Sequence, residues 1–201
     1  MKILQFGMLR SGSTLIFNIV RDLGFDVTKL HQIYKSDIDK YDIIICTYRH
    51  PYNSVYSLLQ CLRREINDTN IMTSVSEVRC HGGESLFNMF DLLCSSPKVL
   101  MLRYEDLNNV HHILDKLETT LKIKINNKNQ LANKYNINTI KHEIADLKDF
   151  SVYRTDTHWH GNHISSDSFE EKKCEKNLSE NHMNMIKKQL DFLVIKLGYS
   201  Q

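Results

Sequence analysis

Two apolar periods divide the chain. Lys2 to Phe6 is a short apolar run of strand length. From Ser13 to Leu23 the apolar positions Leu15, Ile16, Ile19, Val20 and Leu23 take the i, i+3, i+4 spacing of one helix face. Gly24 then stands where a helix ends, and Phe25 to Leu30 reads as a second strand. Tyr41 to Tyr48 has no polar alternation, as expected of a central strand covered on both faces. Pro51 can open a helix that runs on through Val55, Leu58, Leu59 and Leu62. The polar stretch Asn67 to Ser76 reads as an interruption before helical periodicity returns over Glu84 to Cys94.

Pro97 breaks the chain ahead of another buried-looking strand, Lys98 to Tyr104. A helix over Val110 to Leu121, a polar helical stretch over Lys128 to Leu147 and an irregular segment over Asp149 to Ser168 follow. The last helix, Leu178 to Leu197, carries Met183, Ile186, Leu190, Leu193 and Val194 on one face. Strands alternating with helices predict an α/β fold: three layers, with a central, mainly parallel sheet flanked by helices. In such sheets ligands sit beyond the carboxyl ends of the strands. The segment after Phe6 and the turn after Tyr48 both fall there.

Composition narrows the picture. A chain of 201 residues, 41% of them hydrophobic, suits one domain spanning residues 1–201. With 26 Lys+Arg against 24 Asp+Glu, no global field recruits nucleic acid or an anionic membrane, so any anion site has to be local. The apolar runs Ile43 to Cys46 and Val99 to Leu102 fall far short of the roughly 18 residues of a membrane span. Met1 leads directly into a strand rather than a signal peptide, and a cytoplasmic location is expected. Five cysteines without a C-x-x-C pair argue against a disulfide framework or structural zinc.

The chemistry starts at Gly7-Met8-Leu9-Arg10-Ser11-Gly12-Ser13-Thr14, between the first strand and the first helix. Its spacing matches the phosphate-loop pattern G-x-x-x-x-G-K-[ST] except that Ser13 replaces the lysine. Such a loop can still cradle an anion with backbone N–H groups and a helix N-terminus, but lacks the lysine that serves γ-phosphoryl transfer. The positive charge has moved to Arg10, whose planar fork of donors can reach a bridging or leaving oxygen. Farther on, Arg49 follows the central strand and Ser57 lies eight residues later, on the helix begun by Pro51. A guanidinium at a strand end and a hydroxyl two helical turns on can converge on one phosphate.

Arg10-Ser11-Gly12-Ser13-Thr14-Leu15 resembles the 5′-phosphosulfate loop of the sulfotransferases that use 3′-phosphoadenosine 5′-phosphosulfate (PAPS). That loop reads [RK]-[ST]-G-[ST]-[ST] and a bulky residue. Arg49 and Ser57 have the interval of the family's 3′-phosphate pair, and Val99 to Leu107 resembles its strand ending in Y-E-D-L, with Glu105 and Asp106 expected to start the next helix, where acidic residues suit the dipole. The resemblance covers residues 2 to 107 and, more loosely, the last helix. It implies a P-loop-like fold and transfer of a sulfuryl group from PAPS to a hydroxyl or amine acceptor. It also implies release of adenosine 3′,5′-bisphosphate (PAP), no required metal, and a small-molecule or carbohydrate acceptor.

Transfer to a hydroxyl needs a base, and a cation near the leaving oxygen. The resemblance places the base at His31, in Lys29-Leu30-His31, with Arg10 as the catalytic cation and Lys29 as a lesser donor contact. His81, beside Gly82 and Gly83, is a second candidate, and a glutamate a third. The family's late basic loop has its counterpart in Tyr153 to Ser165. No R-K-G triplet is present there, and Gly161 and Asn162 are the expected donor contacts.

Three rival readings follow from the same residues. His158-x-His160-x-x-His163 has part of a binuclear zinc spacing, but Asn162 replaces the required aspartate and too little chain follows to complete the ligand set, so no metal site is expected. A P-loop nucleotide kinase would need the missing lysine. A catalytically inactive nucleotide-binding module would keep the loop and transfer nothing.

Overall fold

The computed structural model describes residues 1–147, 154–161, 163–164 and 174–199. Four strands form the sheet: β1 (Ile3–Gly7), β2 (Val27–Leu30), β3 (Ile43–Tyr48) and β4 (Val99–Arg103). All pair in parallel, in the order β2-β1-β3-β4. Every residue of β1 is buried, and its one polar side chain, Gln5, is hydrogen-bonded within the fold.

Around the sheet lie α1 (Ser13–Asp22), α2 (Lys35–Ile38), α3 (Pro51–Cys61), α4 (Asp68–Val78), α5 (Glu84–Ser95), α6 (Val110–Leu121), α7 (Lys128–Lys134), α8 (Ile137–Glu143) and α9 (Glu180–Lys196). Leu4, Phe6, Ile44 and Cys46 share one core with the apolar faces of α3, α4, α5 and α9. Ile3 and Ile45 share the other with α1, α6, α7 and α8. The alternation of side chains along a strand thus gives one sheet two cores and the molecule three layers. All five cysteines are reduced thiols. Among the described residues no helix is long and apolar enough to cross a membrane.

The structure corrects two expectations. The polar stretch from Asn67 is α4, not an interruption: the Asn67 side chain accepts from the Asn70 N–H, Asp68 sits in the first turn, and Ile71, Val75 and Val78 form a buried stripe. Glu105 and Asp106 do not start the next helix; they lie in a 3-10 turn, Tyr104–Asn108, before α6. Glu105 there accepts from the His50 N–H at 3.3 Å and the Tyr199 hydroxyl at 2.7 Å, tying the start of α3 to the chain end. From β1 the chain passes to β2 on one side and returns to β3 on the other. The crevice beyond the carboxyl ends of β1 and β3 is therefore a topological switch point.

Candidate functional site

The loop Gly7 to Thr14 leaves β1 at that switch point and is shaped by close approach to its neighbours. A Cβ at Gly7 would stand 2.2 Å from Thr47 Oγ1, and one at Gly12 2.3 Å from Leu107 Cδ1. Gly12 also needs its φ of 80°, and Arg10 adopts a φ of 61°, an uncommon conformation for a residue with a Cβ. Ser11 lies behind the loop: its hydroxyl donates to the Met8 carbonyl at 2.7 Å and accepts from Thr47 Oγ1 at 2.9 Å. Gln5 in turn donates to Thr47 Oγ1 at 3.2 Å. This chain of buried polar groups holds the loop from below, while Arg10 and Gly12 to Leu15 line a cavity of about 670 Å³ above it.

α1 begins with no side-chain cap, and its first intrahelical bond runs from the Ile16 N–H to the Gly12 carbonyl. The N–H groups of Ser13, Thr14 and Leu15 are thereby left for an external acceptor, at the positive end of the helix dipole. Lys29 from β2, Arg49 from the end of β3 and Ser57 from α3 reach the same cavity.

Arg10 extends across the loop rather than over it. Its Nε donates to Ser57 Oγ at 3.2 Å and a terminal nitrogen donates to the His163 carbonyl at 2.8 Å. Arg49 is 3% exposed. Its guanidinium carbon lies 3.9 Å from the centre of the Tyr104 ring, and one terminal nitrogen donates to the Arg10 carbonyl at 3.3 Å. The Arg49 Nε has no hydrogen-bond partner among the described residues, and burial holds this guanidinium below its ordinary pKa. A buried cation in that state favours an anion beside it.

Lys29 Nζ donates to Thr14 Oγ1 at 2.6 Å, and burial pulls its pKa down to about 8. His31 places Nδ1 2.6 Å from the Gly7 carbonyl. A carbonyl only accepts, so Nδ1 carries the proton and Nε2 keeps its lone pair. Burial lowers the His31 pKa, with smaller contributions from the Lys29 and His81 charges, while the bond to Gly7 opposes them.

His81 also lines the cavity, and its carbonyl accepts from the Leu9 N–H at 3.1 Å. Beside it Glu77 is held bidentately by Arg64, at 2.6 and 2.8 Å. This end of the cavity is otherwise apolar, walled by Leu9, Leu58, Cys61 and Leu62.

The late segment folds back over the loop. Asn18 donates to the Thr157 carbonyl at 2.7 Å, the His158 and Phe17 rings meet edge to face, and Trp159 is buried in the second core. His160 and His163 line the cavity with their rings 4.8 Å apart. Burial lowers His160 to about 4 and His163 well below its ordinary value. Gly161 forms the turn between them and is not a lining residue. Asn162 lies outside the described residues.

The structure thus gathers Arg10, Gly12, Ser13, Thr14, Leu15, His31, Arg49 and Ser57 at one cavity and turns the Ser11 side chain away from it. Lys29 joins this cavity as well, and sequence reasoning missed Tyr104 as the platform for Arg49. β3 and β4 end in register at Tyr48 and Arg103, so the residues that follow them, Arg49 and Tyr104, fall side by side.

No protein-family model matches the chain, and no curated protein matches it in sequence. Solved structures do match in shape. The mouse sulfotransferase SULT7A1 complexed with PAP superposes with a TM-score of 0.69 over 100% of this chain and 86% of its own, at 11% identity. Retinol dehydratase with androsterone and the inactive cofactor PAP gives 0.66 over 96% and 80%, at 12% identity. The same enzyme with retinol and PAP gives 0.67 over 96% and 81%, at 13% identity. The chain has the α/β, P-loop-like fold of the PAPS-dependent sulfotransferases.

Proposed function

We propose that this chain transfers a sulfuryl group from PAPS to a hydroxyl acceptor. One observation carries the reading: two anion-seeking groups open into one cavity, the uncapped start of α1 behind the loop, and the buried Arg49, whose Nε has no partner among the described residues. A nucleotide with phosphate at both its 5′ and 3′ ends suits that pair. The solved neighbours named above hold PAP, a ligand of that kind.

PAPS, when bound, supplies a sulfuryl group joined to its 5′-phosphate through a bridging oxygen. The N–H groups of Ser13, Thr14 and Leu15 would hold the 5′ side, Arg49 and Ser57 the 3′-phosphate. Lys29, tied to Thr14, stands ready to neutralise the charge left on the 5′ side. Arg10 bonds Ser57 and the His163 carbonyl, so it serves as the bridge between the two anion sites. His31, neutral and with Nε2 free, takes the proton from the acceptor hydroxyl, a contribution of about 10²- to 10⁴-fold in rate. The apolar end beyond Leu58 and Leu62 receives the acceptor's body.

Calorimetry with PAP, AMP and Mg-ATP tests the reading. Tight binding of PAP that needs the 3′-phosphate and is lost in Arg49→Ala is expected. Equal affinity for AMP would overturn it, and preference for Mg-ATP would favour a nucleotide kinase. If PAP binds yet PAPS yields no PAP with any of a panel of phenols, alcohols, amines and sugars, the chain is a binding module.

A further inference from the structure

The turn Arg79–Gly83 belongs to neither helix it joins. His81, at φ −99° and ψ 72°, and Gly82, at φ 102° and ψ −26°, break the helical path between α4 and α5. The backbone of this turn faces the nucleotide loop. The Leu9 N–H donates to the His81 carbonyl at 3.1 Å. A Cβ on Gly82 would stand 2.5 Å from Met8 Cα, 3.0 Å from Met8 N and 3.1 Å from the Gly7 carbonyl oxygen. Two residues before Gly82, the Cys80 carbonyl accepts from the Gln32 amide at 2.7 Å, and Gln32 adjoins His31, whose ring bonds Gly7. The loop after β1, the loop after β2 and this turn are therefore closed into one ring of contacts.

The three nearest atoms that a Gly82 side chain would meet are all main chain, so none of them can rotate away. The place of Gly82 decides where Met8 can sit, and through Met8 where Leu9 and Arg10 sit. We propose that Gly82 is a positioning residue for the donor: by packing backbone on backbone against Met8, the turn Arg79–Gly83 holds the nucleotide loop in its binding shape. The inference rests on the donor reading above. It assigns to the segment that walls the acceptor end a duty at the donor end.

Three alanine variants separate this from ordinary destabilisation. Gly24 and Gly198 have φ of 87° and 72°, and a Cβ added at either would meet nothing within 4 Å. Gly24→Ala and Gly198→Ala therefore impose the same backbone strain without a clash. The expected result is that Gly82→Ala weakens PAP binding by at least about tenfold, as a loop displaced by a fraction of an ångström would, while both controls stay within about twofold. Gly82→Ala binding PAP like wild type, or equal losses in all three, would overturn the inference. Should Gly82→Ala fail to fold, hydrogen exchange on the wild-type chain decides. PAP should slow the amides of Gly82 and Gly83 together with that of Leu9; slowing at Leu9 alone would refute the coupling. A wild-type chain that binds no PAP would instead refute the donor reading.

Discussion

His31 and Gly7 are joined by a 2.6 Å hydrogen bond from the ring Nδ1 to the main-chain carbonyl, and that bond decides which ring nitrogen is open to the cavity. It holds the neutral tautomer with a bare Nε2, the form a general base needs.

Burial lowers the His31 pKa from its ordinary value of 6.5, so the ring is already neutral at pH 7. Turnover should stay level from about pH 6.5 to pH 8 and fall only on the acid side, once pH drops through the depressed His31 value. His31→Ala should lower kcat by about 10²- to 10⁴-fold with PAP affinity kept within about threefold. Near-wild-type kcat in that variant would remove His31 from the mechanism and turn attention to His81.

Lys29 carries the complementary dependence. Its pKa of about 8 means that the charged form is disfavoured in the empty cavity, and a bound anion favours it again. Donor binding should then take up a proton above pH 8, and PAP affinity should decline by about tenfold per pH unit beyond that point. In Lys29→Met the affinity should be weaker at pH 7 and flat from pH 7 to 9. An undiminished alkaline decline in Lys29→Met would assign that limb to another group.

Arg49 depends on Tyr104, whose ring lies 3.9 Å from the guanidinium carbon. Stacking keeps a buried arginine in one orientation while its Nε waits for an acceptor. Tyr104→Phe keeps the ring and should bind PAP nearly as wild type does. Tyr104→Ala should lose about 1–2 kcal/mol of binding, a five- to thirtyfold rise in Kd. Identical affinities for the two variants would show that the ring plays no part.

The sheet was legible in the sequence because strands buried on both faces read as unbroken apolar runs, as Ile43 to Tyr48 does. The loop was legible because glycine, hydroxyl and arginine spacing carries its own geometry. α4 was not legible: its buried apolar residues Ile71, Val75 and Val78 lie among polar neighbours, and only the Asn67 cap marks its start. Ser11 was legible in place but not in orientation, since a fully buried Thr47 on another strand captures its hydroxyl. The ring through Gly82 depends on Met8, far away in sequence, and no local pattern announces such a contact.

The buried histidines make a prediction about stability that does not need the donor. His160 is held neutral, with a pKa of about 4 against an ordinary 6.5, and His31 and His163 are lowered in the same direction. An unfolded chain takes up protons at these rings as pH falls below 6.5, whereas the native chain resists until the depressed values are reached. The unfolded state therefore binds more protons between about pH 6.5 and 4, and stability must fall as pH falls through that window. His160 alone should account for about 2 kcal/mol by pH 4, after allowance for screening at the cavity edge. Carboxylates held low by partners, such as Asp115 and Glu118, give a slope of the same sign only as pH approaches their ordinary values of 3.8 and 4.5, so the loss between pH 7.5 and 5 belongs mainly to the rings. Urea unfolding at pH 7.5, 6 and 5 should show a progressive loss of stability, made shallower by His160→Gln. A midpoint unchanged from pH 7.5 to 5 would mean that these rings are solvated and that the late segment does not close over the loop.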